Sequence, residues 1–322
     1  MIKVVNPSVE VWKQDGYTLD DIWKHIARCA RVCYQSVPKN NGETDYDFIV
    51  RTLLKGIDVI NQPYDIEKIS TCHLSVLEHG TVHLCYPLYV PRANVQFERR
   101  CKYNKYSKFY IDEKDYAYVT TNMRVLVENG WIDELEFIDE IHNNEYNLIN
   151  RYTINFITDI GASRELNRHR VNSISEESTR YCAYDKGKFG NGITVAKLPW
   201  IPDVDVVGQC YSTGFYNDEE IFDDKYIKSH YCDGWTAIDW FFYGLQICDL
   251  VYRKTRELGW TAQQAREILP LNTKTQVVHT AFVDDWEHFI DLRSNGVSGV
   301  PHPMAKELAD KVNNLINTVI CG

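Results

Sequence analysis

Helix-period and strand-period segments follow one another along this chain without a regular βαβ rhythm, and that order limits the folds open to it. Residues 19 to 33 (LDDIWKHIARCARVC) place Leu19, Ile22, Trp23, Ile26, Ala30 and Cys33 near one helical stripe. Residues 46 to 60 give a second amphipathic helix, and residues 131 to 141 a short one. Residues 81 to 90 (TVHLCYPLYV) read as a strand stopped by Pro91, with further strands at Tyr116 to Thr121, 152 to 160 (YTINFITDI) and 275 to 283. Gly161 is expected to end the strand at 160, with Ser163 as the N-cap of a short helix. A long aromatic-rich helix is expected over 235 to 258. Thr261 with Gln264 fits a capping box for the next helix, which Pro270 stops. Asp284 or Asp285 is the expected cap of a helix to Arg293, and Pro303 suits the first turn of a final helix to about residue 319. No internal repeat is visible. The pattern predicts an α+β (mixed α/β) fold: a central, mostly antiparallel sheet flanked by helices, not a doubly wound one.

Composition narrows the function classes. The 322 residues are 44% hydrophobic and 25% charged, ordinary for a soluble globular protein. A net charge of -10 disfavours nonspecific binding of nucleic acid, which selects basic surfaces. No apolar run reaches the roughly 18 residues of a membrane span, and the start of the chain lacks the apolar stretch of a signal peptide. Ten cysteines without a CxxC pair point to reduced thiols and a cytoplasmic location.

Against that acidic background the segment from Ser163 to Tyr181 (SRELNRHRVNSISEESTRY) stands out: four arginines and a histidine fall between Arg164 and Arg180. Arg164 and Arg168 share a helix face, whereas Arg168, His169 and Arg170 are consecutive and suit a bend that offers cations in several directions. Arginine forks bind phosphate in bidentate fashion, and Ser173, Ser175, Ser178 and Thr179 add hydroxyls. The plain alternative is a solvated face of Arg–Glu pairs, with Glu165, Glu176 and Glu177 close by.

The spacing Arg168-His169-Arg170, seven residues, then Ser178 reads RHR-x7-S, followed by Thr179-Arg180-Tyr181. In this the chain resembles the flavin-dependent thymidylate synthases, whose defining signature this is. Other segments follow in the family's order: Ala30-Arg31-Val32-Cys33-Tyr34; His73-Leu74-Ser75-Val76-Leu77-Glu78-His79, similar to H-x-[ST]-x-x-E-H; Ala265 to Pro270, similar to A-R-x-x-L-P; and His288 to Arg293, similar to H-F-x-x-L-R. The resemblance spans roughly residues 25 to 315 and implies one catalytic domain over 1–322, with insertions at about 84–150 and 185–234.

It further implies reductive methylation of dUMP to dTMP by a methyltransferase that uses FAD, with NADPH and 5,10-methylenetetrahydrofolate as co-substrates, in a homotetramer whose sites draw on several subunits. Carried over, the FAD contacts fall on His73, Ser75, Glu78, Arg168, His169, Arg170, Glu176 and His288. The dUMP contacts fall on Arg168, Glu176, Glu177, Ser178, Thr179, Arg180, Arg266 and Arg293. Arg293 takes the catalytic role: a fixed guanidinium beside the pyrimidine stabilises negative charge developing on it. No metal site is implied, although His73, His79 and His83 would be its residues. Cys182 lacks a specific feature that would lower its pKa, and the family uses no enzyme cysteine. The aromatics Trp235, Trp240, Phe241, Phe242 and Tyr243 read as core or subunit interface.

The sequence departs from the family in two places that bear on the site. Glu165 stands where the family has Gln. Phe282-Val283-Asp284 stands where the family carries N-x-R, whereas Asn122-Met123-Arg124, inside the first insertion, has that form. Arg124 is therefore a candidate replacement for the lost cofactor contact. Beside a metalloprotein using the histidines, two other readings remain. One is a related flavin- and folate-dependent methylase acting on another pyrimidine nucleotide, and the other a nucleotide-binding homologue without catalysis.

Overall fold

The computed structural model describes residues 2–38, 42–140, 149–185, 192–201 and 236–321. Two short strands, β1 (Lys3–Val5) and β2 (Ser8–Trp12), lead into α1 (Leu19–Tyr34), which starts at a capping box between Thr18 and Asp21. α2 (Asp45–Thr52) is shorter than the helix expected over 46 to 60. Lys55 and Gly56 take left-handed φ values of 51° and 88°, which a helix does not accept. α3 (Ile66–Ile69) and a 3-10 segment, Leu74–His79, follow.

Residues 81 to 137, most of them in the insertion expected at about 84–150, form a sheet of their own. β3 (Thr81–Pro87) pairs with β5 (Tyr116–Asn122), which pairs with β4 (Lys108–Ile111), all antiparallel. Pro91 does end the strand region, and it also begins α4 (Pro91–Gln96), where its missing N–H costs nothing; a π turn, Phe97–Cys101, continues it. β5 runs into α5 (Met123–Asn129), capped by the Asn122 side chain. The helix expected at 131 to 141 is a 3-10 segment, Ile132–Phe137, and residues 141 onward in that expectation lie outside the described residues.

The main sheet lies C-terminal to this. β6 (Arg151–Asp159) runs directly into α6 (Ile160–Leu166). Asp159, not Ser163, caps that helix, its carboxylate accepting from the Ala162 N–H at 2.6 Å; Gly161 and Ser163 lie inside it. β7 (Ser173–Glu176) and β9 (Lys274–Phe282) complete the antiparallel order β2-β6-β9-β7, while β8 (Thr194–Ala196) pairs in parallel with β1. Most of the excursion expected at 185 to 234, and Trp235, lie outside the described residues. α7 (Ala237–Glu257) and α8 (Ala262–Ala265) follow, the latter with the expected Thr261–Gln264 capping box. α9 (Val283–Ile290) has Phe282 at its N-cap, with Asp284 and Asp285 in its first turn instead of capping it; a π turn, Asp291–Asn295, carries it past Arg293. α10 (Pro303–Cys321) ends the described chain. The α+β reading with antiparallel sheets flanked by helices holds.

Strand alternation splits the core. Val277 on β9 faces a cluster with Ile154, Phe156, Leu166, Trp286, Phe289 and Met304, whereas Val278 faces the other way onto Trp12, Cys29 and Val32. A separate cluster joins α1 and α2 to the β3–β5–β4 sheet through Ile22, Ile26, Leu77, Leu84, Val119 and Leu126. In α7, Phe242 is buried and Trp240 exposed, so only part of the aromatic stripe is core. Among the described residues no helix is long and apolar enough to cross a membrane.

Candidate active site

The signature occupies the connection from α6 to β7 and the strand itself. α6 stops at Asn167; Arg168 to Asn172 make the turn; Ser173 to Glu176 then join β9. This turn holds its cations apart, as three consecutive charged residues on a bend must. Arg168 is largely exposed and lies 3.4 Å from Glu165; Arg170 is exposed; His169 turns inward.

Arg293 meets His169 there. Its Nε donates to His169 Nε2 at 3.2 Å, and its Nη1 donates to Glu165 Oε2 at 3.2 Å. Burial, then the electrostatic influence of Arg293 and of the neighbouring His288, pulls the His169 pKa down to about 4. The ring is therefore neutral near pH 7, and with Nε2 accepting from Arg293 its proton sits on Nδ1. Phe289 packs on the ring at 4.8 Å, and His288 lies 6.1 Å from it. Glu165 thus has a defined role in place of the family's Gln: it pairs with both Arg168 and Arg293.

Glu176 is fixed by neutral donors. Asn167 Nδ2 donates to its Oε2 at 2.9 Å, and the Thr275 hydroxyl lies 3.2 Å from its Oε1. Asn167 in turn lies 3.1 Å from His279 Nε2, whose Nδ1 is 3.2 Å from Asn172. Burial drives the His279 pKa down to about 3, so it serves these amides as a neutral ring. Glu177 points away from Glu176: its buried carboxylate accepts from Lys274 at 2.6 Å and from the Tyr184 hydroxyl at 3.4 Å. Ser178 is tied through its N–H to the Cys33 carbonyl at 3.0 Å, and its Oγ accepts from the Arg180 N–H at 3.3 Å. Arg180 Nε donates to Gln263 on α8 at 3.2 Å. Arg266, one turn further along, pairs with Glu267 at 3.4 Å. Thr179 is half-buried beside them.

The 73–79 segment reaches the signature from the other sheet. His73 and Ser75 are exposed; Glu78 pairs with Arg124 at 2.5 Å. His79, fully buried and held neutral by that burial, lies 2.9 Å from Ser175 Oγ and 2.7 Å from Thr280 Oγ1. His83 instead bonds Thr120 at 2.8 Å, so the three histidines do not converge. Cys182 is buried. A cavity of about 300 Å³ opens next to α1, lined by Arg31, Tyr34, Ser36, Phe48 and Arg51 among others, with Tyr34 5.2 Å from Tyr181 of the signature extension.

Besides His279, a second site residue escaped sequence reasoning. Arg151, at the start of β6, donates to Ser173 Oγ at 3.2 Å, to the Glu78 carbonyl at 3.0 Å and to Thr81 Oγ1 at 3.3 Å. No carboxylate pairs with it among the described residues. Burial pulls its pKa down to about 10, still charged at pH 7. It lies in no motif. Only its register opposite Phe282, the place of the missing N-x-R, marks it.

The model of the thymidylate synthase complementing protein family matches residues 149–319, which include the signature, the A-R-x-x-L-P segment and Arg293. The chain belongs to this family. Among solved structures it is similar to a UMP/dUMP methylase, PolB, from Streptomyces cacaoi bound with 5-Br dUMP. The identity is 15% and the TM-score 0.40, over 98% of this chain and 93% of that one. The same enzyme bound with 5-Br UMP gives 14% identity and a TM-score of 0.40, over 99% of this chain and 92% of that one. Compared with curated proteins, the chain matches none. The matched range runs from just before β6 into α10.

Proposed function

We propose that this chain is a flavin-dependent thymidylate synthase, converting dUMP to dTMP with 5,10-methylenetetrahydrofolate, FAD and NADPH. The observation that carries the reading is the fixed Arg293 guanidinium against neutral His169, inside a segment that belongs to the family. The donor set fits an anionic flavin dinucleotide: Arg164 and Arg170 form no ion pair among the described residues, and Asn172 Oδ1 is buried without a partner. Arg168, His169, Arg170, Glu176 and His288, with His73, Ser75 and Glu78, would hold it; when bound it supplies the reducing electrons of the methylation.

The chain's own groups do the rest. Arg168, Ser178, Thr179, Arg180 and Arg266 bind and orient the nucleotide, its phosphate matching their forks and hydroxyls. Glu176, immobilised by Asn167 and Thr275, accepts donors from substrate or cofactor. Glu177 supports the strand through Lys274. Arg293, held at two points, presents its remaining donors to the pyrimidine ring and stabilises negative charge there without reorganising. We place the protein in the cytoplasm, as a homo-oligomer.

The test is tritium release from C5-labelled dUMP with FAD, NADPH and methylenetetrahydrofolate. Release that depends on all three and is lost in Arg293→Ala supports the reading; none, despite bound FAD and dUMP, would replace it with a methylase of another pyrimidine nucleotide or a non-catalytic homologue.

A further inference from the structure

The two antiparallel sheets are built the same way, although the sequence shows no repeat. In each, a strand, a helix and a strand are followed by a strand that runs into a helix and pairs between the first two, β3-β5-β4 and β6-β9-β7; residues 112–115 alone join β4 to β5 whereas 177–273 lie between β7 and β9, and β2 adds a further strand beside β6. The registers coincide. Thr81 opens β3 opposite Asn122, the last residue of β5; Arg151 opens β6 opposite Phe282, the last residue of β9. Lys108 opens β4 opposite Thr120; Ser173 opens β7 opposite Thr280. The first helices match in burial as well: Ala93 and Phe97 are buried as Ala162 and Leu166 are, and Val95 and Arg99 exposed as Arg164 and Arg168 are.

The site contact is repeated with its charges inverted. Arg293 reaches back to His169 and Glu165. In the first sheet Glu134 reaches back to the corresponding helix positions: Arg100 bonds it, and Gln96 Nε2 donates to it at 3.2 Å. Tyr86 donates to the same carboxylate at 2.5 Å, and Asp133 adds a second acid on Arg100 at 2.8 Å. An anion has no place there: where the active copy offers an arginine, this one holds two carboxylates, one of them fully buried.

One contact between the two sheets joins equivalent positions, as a contact on a twofold axis would. Thr81 and Arg151, equivalent residues, bond each other at 3.3 Å. Lys108 at the start of β4 bonds Asp284 at the start of α9. Opposite, at the start of β7, Ser173 bonds Arg151, whose second acceptor is the Glu78 carbonyl, and the Glu78 side chain holds Arg124 at the start of α5. Arg124 and Asp284 are thus equivalent positions, as are Asn122 and Phe282. The N-x-R form absent from the copy with the signature is present in the other.

We infer that residues 81–134 are a second, non-catalytic copy of the unit at 151–294, standing where a partner subunit would stand, and that it completes the cofactor site of the active copy with Arg124. This rests on the flavin-dependent reading above. Arg124, paired with Glu78 and with Glu128 at 2.8 Å, and Arg151 flank Glu78 from the two copies. Unlike the fully buried Glu134 on Arg100, these carboxylates are part-exposed, and the anionic part of the flavin dinucleotide takes their place on Arg124, between it and the signature.

The experiment is a titration of the full chain, freed of flavin, with FAD, followed by flavin fluorescence, with each variant's thermal melting recorded. Arg124→Ala should weaken FAD binding about tenfold or more, the loss of one charge-assisted contact, with Arg124→Lys keeping most of the affinity. Arg168→Ala should weaken it too, whereas Arg99→Ala, at the equivalent position of the other copy, should bind as the parent does. Unchanged affinity in Arg124→Ala, or equal losses in Arg99→Ala and Arg168→Ala, would overturn the inference while leaving the functional reading in place. A parent chain that binds no FAD would overturn the functional reading, and this inference with it.

Discussion

Arg293 donates to an imidazole that cannot become charged near neutrality: the 3.2 Å bond to His169 Nε2 sets both the guanidinium's direction and the ring's tautomer. Removing either partner should act on turnover more than on binding. Arg293→Ala is expected to lower kcat for tritium release about 10²- to 10³-fold, the usual cost of losing a preorganised donor. His169→Ala should lower it less, because Glu165 still holds Arg293. Steady-state kinetics on both variants checks the order.

Acid should unfold this protein early. His25, His169 and His279 have pKa values pulled down to about 4, 4 and 3, burial being the largest cause in each. Between those values and 6.5 the unfolded chain binds more protons than the native one, so stability falls as pH drops through that window. The combined loss is on the order of several kcal/mol at pH 4. Urea midpoints at pH 7, 5.5 and 4.5 should decrease steadily.

Lys274→Met leaves the Glu177 carboxylate, fully buried, with only a long bond from Tyr184. Stability should fall by about 3–5 kcal/mol, and the double variant Lys274→Met with Glu177→Leu should recover most of it. Denaturant unfolding of the three proteins tests this.

Glu165→Gln restores the family's residue and removes the carboxylate shared by Arg168 and Arg293. The two guanidiniums then carry unneutralised charge. The KM for dUMP should fall a few-fold and depend more steeply on salt, as binding by exposed charge does. A KM equal to the parent's across 50 to 300 mM salt, roughly bracketing physiological strength, would contradict it.

Much of this was legible from the residues. The 3.6-residue stripe of α1, the Thr261–Gln264 box and the strands at 81, 116, 152 and 275 are local signals, and local signals survive into the structure. The caps failed where an earlier residue competed: Asp159 and Phe282 precede the expected Ser163 and Asp284, because each strand runs into its helix with no loop between. The expected site residues fall apart in space: Arg293 and His288 gather at the His169 ring, with Arg168 joined to Arg293 through Glu165; Glu176 is fixed by Asn167 and Thr275; and Ser178, Arg180 and Arg266 lie around α8. Arg151 and His279 were illegible because their importance comes from cross-strand register. The repeat was illegible for the same reason: its two copies keep strand order and pairing and have exchanged their charges.

The bond between Thr81 and Arg151 joins two sheets of one polypeptide. Subunits that share a site come apart on dilution, each at its own dissociation constant. Here the chain between β3 and β6 holds the two faces at a fixed effective concentration, independent of how much protein is present. Cofactor affinity built across that junction should therefore be the same at nanomolar and micromolar protein.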